Sequence, residues 1–128
     1  MDQPLIDCSK VVAKDTNSEK GIAVYANKDI KQGELVEYGL MRRVDTDGNK
    51  NPYLFTWSDD RTIWAYASGC ATFYNTSKEP NVKMNRFYNE DRFTIIALQD
   101  IKKDDEFMHP YKSLQWRTCF QELNKTLI

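Results

Sequence analysis

A mainly β domain with short helices is the architecture this sequence predicts, from the length of its apolar segments and the chemistry of the turns between them. Four segments are β-branched or aromatic and of strand length: residues 22–26, 34–38, 61–66 and 92–97. Turn formers punctuate them at Lys20-Gly21, Gln32-Gly33, Asp47-Gly48 and Glu79-Pro80-Asn81. Many short strands, rather than strands alternating with long helices, argue against a doubly wound parallel sheet.

Each element has its own reason. Ile22, Val24 and Tyr25 follow the Lys20-Gly21 turn and favour an extended chain. Leu35, Val36 and Tyr38 follow Gln32-Gly33, where glycine suits a tight turn. The polar stretch 45–52 predicts an exposed loop or hairpin tip. Residues 61–66 bring Ile63, Trp64 and Tyr66, and residues 92–97 bring Phe93, Ile95 and Ile96. Only the tail changes period: Leu114, Trp116, Phe120 and Leu123 form a helical stripe over 113–124, with Ser113 as N-cap. An internal echo links residues 29–35 with residues 100–107, each a strand end, a polar turn, an acidic residue and a new strand. Two copies are too few for a solenoid.

A chain of 128 residues forms one domain, 1–128. Hydrophobic content of 41% and charged content of 29% fit a globular protein. A formal net charge of -1 gives no general attraction to nucleic acid. No apolar run reaches the roughly 20 residues of a membrane span, and residues 1–5 lack the features of a signal peptide, so an intracellular protein is expected. Cys8, Cys70 and Cys119 are too scattered for a disulfide framework or a zinc site and read as thiols in a reducing compartment.

His109 is the single histidine, which leaves no histidine-based metal cluster, and no metal site is expected. No serine sits in a Gly-x-Ser-x-Gly elbow, and no phosphate-binding glycine loop is present. Asp104 and Asp105, beside Lys102 and Lys103, read as a solvated turn. Aromatic chemistry remains, with seven tyrosines and three tryptophans. Tyr66 and Tyr88 are expected to be packing residues.

Three separated blocks carry the functional reading. The first is Lys20-Gly21-Ile22-Ala23-Val24-Tyr25-Ala26, closed by residues 29–36; the second is Phe73-Tyr74-Asn75-Thr76-Ser77-Lys78-Glu79-Pro80-Asn81. The third spans residues 97–107 and is followed, five residues after Glu106, by Tyr111. In this order the blocks resemble the SET-domain family of S-adenosylmethionine-dependent protein-lysine methyltransferases. The resemblance covers about residues 20–116, and in length the chain is similar to the minimal SET proteins of chlorella viruses.

The resemblance implies a β-clip-like SET fold with a C-terminal pseudoknot beneath the Asn75 loop and a short C-terminal helix. It implies S-adenosylmethionine as cofactor, bound by Gly21, Ile22, Ala23, Tyr74, Asn75, Thr76 and Trp116. Tyr111 takes the place of the catalytic tyrosine, with Tyr53 and Phe107 walling the lysine channel. Trp116 and Phe120 are placed either as an apolar lid or as ordinary helix packing. The implied partner is a lysine-bearing protein or peptide, a histone tail among the candidates, with no membrane or nucleic acid; a homodimer is left open. The chain departs from the family pattern at Ala23, where a second glycine is usual, at Thr76, where histidine is usual, and at Asp104, where glycine is usual. Ala23 is tolerable if its φ stays negative. These departures keep open a catalytically degenerate SET module that binds peptides, and, beyond the family, a different β-rich interaction domain.

Overall fold

The computed structural model describes residues 4–51 and 53–110. Among these residues run nine strands: β1 (Val11–Asp15), β2 (Ile22–Ala26), β3 (Leu35–Val44), β4 (Phe55–Thr56), β5 (Trp64–Ala67), β6 (Asn75–Ser77), β7 (Val82–Phe87), β8 (Arg92–Ala97) and β9 (Met108–Pro110). Single 3-10 turns occupy Gly48–Lys50, Ala71–Phe73 and Tyr88–Glu90. The strands form a five-stranded sheet in the order β4-β5-β3-β8-β7, a β1–β2 pair and a β6–β9 pair. The fold is mainly β, as the sequence predicts, while the expected helix over 113–124 lies outside the described residues.

β2 and β8 occupy the predicted segments. In β8, Phe93, Ile95 and Ala97 are buried and alternate with partly exposed neighbours, the period of two that a half-buried strand requires. β3 extends well past the predicted residues 34–38 because it changes partner along its length. It pairs with β8 as far as Leu40 and with β5 from Met41 to Val44. The segment 61–66 becomes strand only from Trp64, since Ser58 and Asp60 side chains accept from the Thr62 amide and hold the preceding residues in a turn. Tyr66 is not a packing residue: it lies on β5 with 45% of its surface exposed. Tyr88 does pack, edge-on against Trp57 at 5.2 Å. Asp45, Thr46 and Asp47 are exposed as expected, but Gly48 is buried against Trp64, where a Cβ would stand 2.2 Å from the indole.

Two structural details shape the site. A register shift between Leu35 and Glu37 turns consecutive residues, Val36 and Glu37, inward, as a bulge does. A carboxylate is thereby buried in a strand whose sequence gives no sign of it. The second detail is the echo between residues 29–35 and 100–107, which is a reciprocal pair of turns. Ile30 and Ile101 exchange backbone hydrogen bonds of 2.7 and 2.8 Å. Asp29 accepts from the Lys103 amide at 2.9 Å, and Asp100 accepts from the Gln32 amide at 2.8 Å. Gly33 and Asp104 hold equivalent positions, with φ of 85° and 75°.

Trp57, Phe93, Phe107, Ile30, Leu54 and Ile95 are the largest fully buried side chains. Each such burial stabilises by about 1.5–3 kcal/mol. Phe107 links this core directly to the β6–β9 crossing.

Candidate active site

The three blocks distant in sequence meet at one place. The Asp104 turn aligns against β2: the Asp104 amide donates to Ala26 O at 2.8 Å, the Ala26 amide to Asp105 O at 2.9 Å, and the Phe107 amide to Val24 O at 2.8 Å. The chain then enters β9, which runs parallel to β6, with Asn75, Thr76 and Ser77 opposite Met108, His109 and Pro110. Asn81 pins this crossing. Its Nδ2 donates to Glu106 O at 2.8 Å and its Oδ1 accepts from the Met108 amide at 2.7 Å. Parallel pairing of two three-residue segments is weak by itself, so these side-chain bonds from a buried asparagine hold the register.

Strand alternation divides the crossing into two faces. On one lie Tyr74, Phe107 and His109, stacked in a row: Tyr74 to Phe107 at 5.9 Å and Tyr74 to His109 at 4.6 Å between ring centroids. Thr76 stands opposite His109 in the register, and Thr76 Oγ1 and His109 Nε2 are buried with no hydrogen-bond partner among the described residues. The imidazole that block two lacks at position 76 therefore stands beside it at position 109. Burial pushes the His109 imidazole down to about 4, with the Arg86 guanidinium adding to the effect, so it is neutral at pH 7. Tyr74 donates its hydroxyl to Glu37 at 2.8 Å, and Glu37 also accepts from the Cys70 amide at 2.9 Å. Burial raises the Glu37 carboxyl above its ordinary range and holds the Tyr74 phenol firmly protonated. Cys70 is pushed up to about 11 by burial and by the Glu37 charge, and it remains a thiol.

The opposite face belongs to Asn75 and Glu106. Asn75 Nδ2 donates to Glu106 Oε2 at 2.9 Å and to Ile22 O at 3.3 Å. The second carboxylate oxygen of Glu106 is paired with Lys20. Gly21 beside them has φ of 74° and no heavy atom within 4 Å of where a Cβ would stand.

The residues singled out from the sequence divide accordingly. Gly21, Ile22 and Asn75 come together around one open edge, with Ile22 44% exposed. Ala23 is fully buried within β2 and is not among the residues with positive φ, so its methyl group is accommodated without strain. Tyr74 is buried and its hydroxyl is committed to Glu37, which confines any ligand contact to its main chain. Thr76 sits on the Tyr74 face. Tyr53 is 54% exposed and reaches the ring of Phe73 at 6.3 Å, next to block two. Phe107 is fully buried. Tyr111 and Trp116, together with Phe120 and Cys119, lie outside the described residues.

Residues 21–112 match the SET domain family, which is most of the chain. This chain belongs to the SET domain family. A different β-rich interaction domain is thereby ruled out. Among solved structures, the domain is similar to a candidate histone methyltransferase of Plasmodium falciparum. That likeness has 22% identity and a TM-score of 0.63, covering 80% of this chain and 92% of the other. It is also similar to a humanized mutant of the Chaetomium thermophilum Polycomb Repressive Complex 2 bound to the inhibitor GSK126. Here the identity is 26% and the TM-score 0.65, over 80% of this chain but 15% of that one. The same fungal complex in an autoinhibited conformation bound to S-adenosylmethionine gives 23% identity and a TM-score of 0.67, over 94% of this chain and 17% of that one. The SET domain thus spans a small part of the Polycomb chains. A sequence comparison with curated proteins gave no match.

The residues present fit S-adenosylmethionine. Gly21 spends its amide on Ser18 O and its carbonyl on Thr16, and the space beside its Cα is clear. Asn75 spends its Nδ2 on Ile22 O and Glu106, which leaves its Oδ1 without a donor among the described residues and able to accept from the cofactor's ammonium. Reading the sequence missed Glu106, Lys20, Asn81 and Glu37 as parts of the site. Lys20 opens the first block and Asn81 closes the second, so both could have been found there. Glu37 could not, because only the bulge buries it.

Proposed function

We propose that this SET domain transfers a methyl group from S-adenosylmethionine to the side-chain amine of a protein lysine. The observation that carries the reading is the convergence of Gly21, Ile22 and Asn75 on one open edge of a SET fold. When bound, the cofactor supplies an electrophilic methyl group on a sulfonium.

The chain's own residues account for binding, orientation and the exclusion of wrong chemistry. The exposed Ile22 edge and the Asn75 amide oxygen would hold the cofactor, with the clear space beside Gly21 admitting it. A free lysine amine has a pKa of roughly 10.4, so apolar surroundings must favour its neutral form before it can attack. Exposed Tyr53 offers an aromatic wall for the lysine stem, and aromatic faces attract an ammonium while excluding water. Tyr111, by resemblance, orients the amine with its phenol, an alignment worth several kcal/mol. Tyr74 and His109 take no part as bases: the phenol is held protonated by burial and by Glu37, and the imidazole is buried against Tyr74. Histone tails are one class of substrate the reading includes.

Single-turnover transfer of labelled methyl to core histones, and to the proteins of a cell lysate, tests the reading. Tyr111→Phe is expected to slow transfer on the order of a hundredfold, a barrier rise of about 2.7 kcal/mol, with little change in cofactor affinity. Cofactor binding without transfer to any protein would favour a degenerate, peptide-binding module instead. A Tyr111→Phe variant as fast as the parent would remove Tyr111 from the mechanism.

A further inference from the structure

Both donor positions of the Asn75 amide are used from below. Its Nδ2 faces Ile22 O at 3.3 Å and Glu106 Oε2 at 2.9 Å, two acceptors for its two protons. The opposite orientation would set Asn75 Oδ1 against a carbonyl and a carboxylate, leaving like partial charges in contact. The amide therefore has one allowed orientation, and among the described residues no donor reaches Asn75 Oδ1. Glu106 is itself held in place. Its other carboxylate oxygen is paired with Lys20, its carbonyl accepts from Asn81 Nδ2 at 2.8 Å, and its backbone bridges Tyr25 on β2. The Glu106 side chain is 13% exposed against 48% for Lys20, so the pair is sheltered at the carboxylate and open at the ammonium.

We propose that Glu106, clamped by Lys20, is a positioning residue that fixes the Asn75 amide with its oxygen outward. The site is thereby selective for a ligand presenting an ammonium or other N–H donor at that point. The proposal rests on the cofactor reading above, since S-adenosylmethionine and its product both carry an α-ammonium. Glu106 touches neither ligand nor substrate and acts only through Asn75. Without Glu106, the amide turns freely and can offer either a donor or an acceptor. The expected consequence is a loss of discrimination rather than a simple loss of packing.

The test compares S-adenosylhomocysteine with its analogue lacking the α-amino group, each titrated by calorimetry into the parent, Glu106→Ala, Asn75→Ala and the double variant. The parent is expected to prefer the amino compound by about tenfold or more, and both single variants to lose most of that preference. The double variant is expected to lose no more than Asn75→Ala alone, the non-additivity of residues that act as one unit. Glu106→Gln retains the shape and one acceptor and is expected to restore part of the preference. As a ligand-free readout, the side-chain amide resonances of Asn75 in protein labelled with 15N-asparagine are expected to move on Lys20→Met, a change at an exposed side chain that should leave the fold intact.

A parent that discriminates, with Glu106→Ala discriminating equally, would overturn this proposal and leave the cofactor reading standing. Asn75 amide resonances indifferent to both Lys20→Met and Glu106→Gln would overturn it as well. A parent that binds neither compound would overturn the cofactor reading and this inference with it.

Discussion

Asp104 adopts φ of 75°, a left-handed conformation in which a side chain costs about 1–2 kcal/mol and which aspartate tolerates better than most residues. The departure from the usual glycine is thus a local stability cost and leaves the turn geometry intact, since Gly33 makes the same turn at φ of 85°. Asp104→Gly is expected to raise unfolding free energy by about 0.5–1 kcal/mol in urea titrations, and Gly33→Ala to lower it by about 1–2 kcal/mol. His109 carries a different cost. Its folded-state pKa of about 4 lies below its ordinary 6.5, so the unfolded chain binds the proton more readily. The stability this group contributes is present above pH 6.5 and is lost as pH falls toward about 4. His109→Phe keeps a ring against Tyr74 and removes Nε2, which has no hydrogen-bond partner among the described residues. Thermal unfolding across pH 7 to 4 is expected to show a flatter decline for this variant than for the parent, with no loss at pH 7.

At the scale of elements, the β6–β9 crossing decides whether the three blocks meet. Asn81→Ala leaves Glu106 O and the Met108 amide without their partners, at about 1–3 kcal/mol for each buried group. The variant is expected to lose roughly 2–4 kcal/mol in chemical denaturation and to weaken any ligand bound at Asn75. How far the elements were legible follows from how local their causes are. β2 and β8 were readable because β-branched and aromatic residues declare an extended chain and their boundaries are marked by turns. β1 was not, because only Val11 of its five residues is buried and its other side chains face outward. β6 and β9 are polar or contain proline and become strands only through each other, which no local pattern records. The site was legible in the same measure. The blocks pointed to Gly21 and Asn75, whereas burial of Glu37 depends on a bulge and the clamp on Asn75 depends on a lysine 86 residues away from its glutamate.

Over the whole molecule, a five-stranded antiparallel sheet carries the β1–β2 pair and the β6–β9 crossing, and the reciprocal turns at Asp29 and Asp100 tie the two sequence halves together. A formal net charge of -1 gives the molecule no strong overall field. The edge formed by Gly21, Ile22 and Asn75 is the proposed S-adenosylmethionine site. Calorimetric titration of S-adenosylmethionine into the parent and into Asn75→Ala tests it most directly, with the fold of each checked by circular dichroism. One-to-one binding by the parent and a loss of about 1–3 kcal/mol in the folded variant are expected. Absence of binding by the parent, or equal affinity in the two proteins, would contradict this assignment.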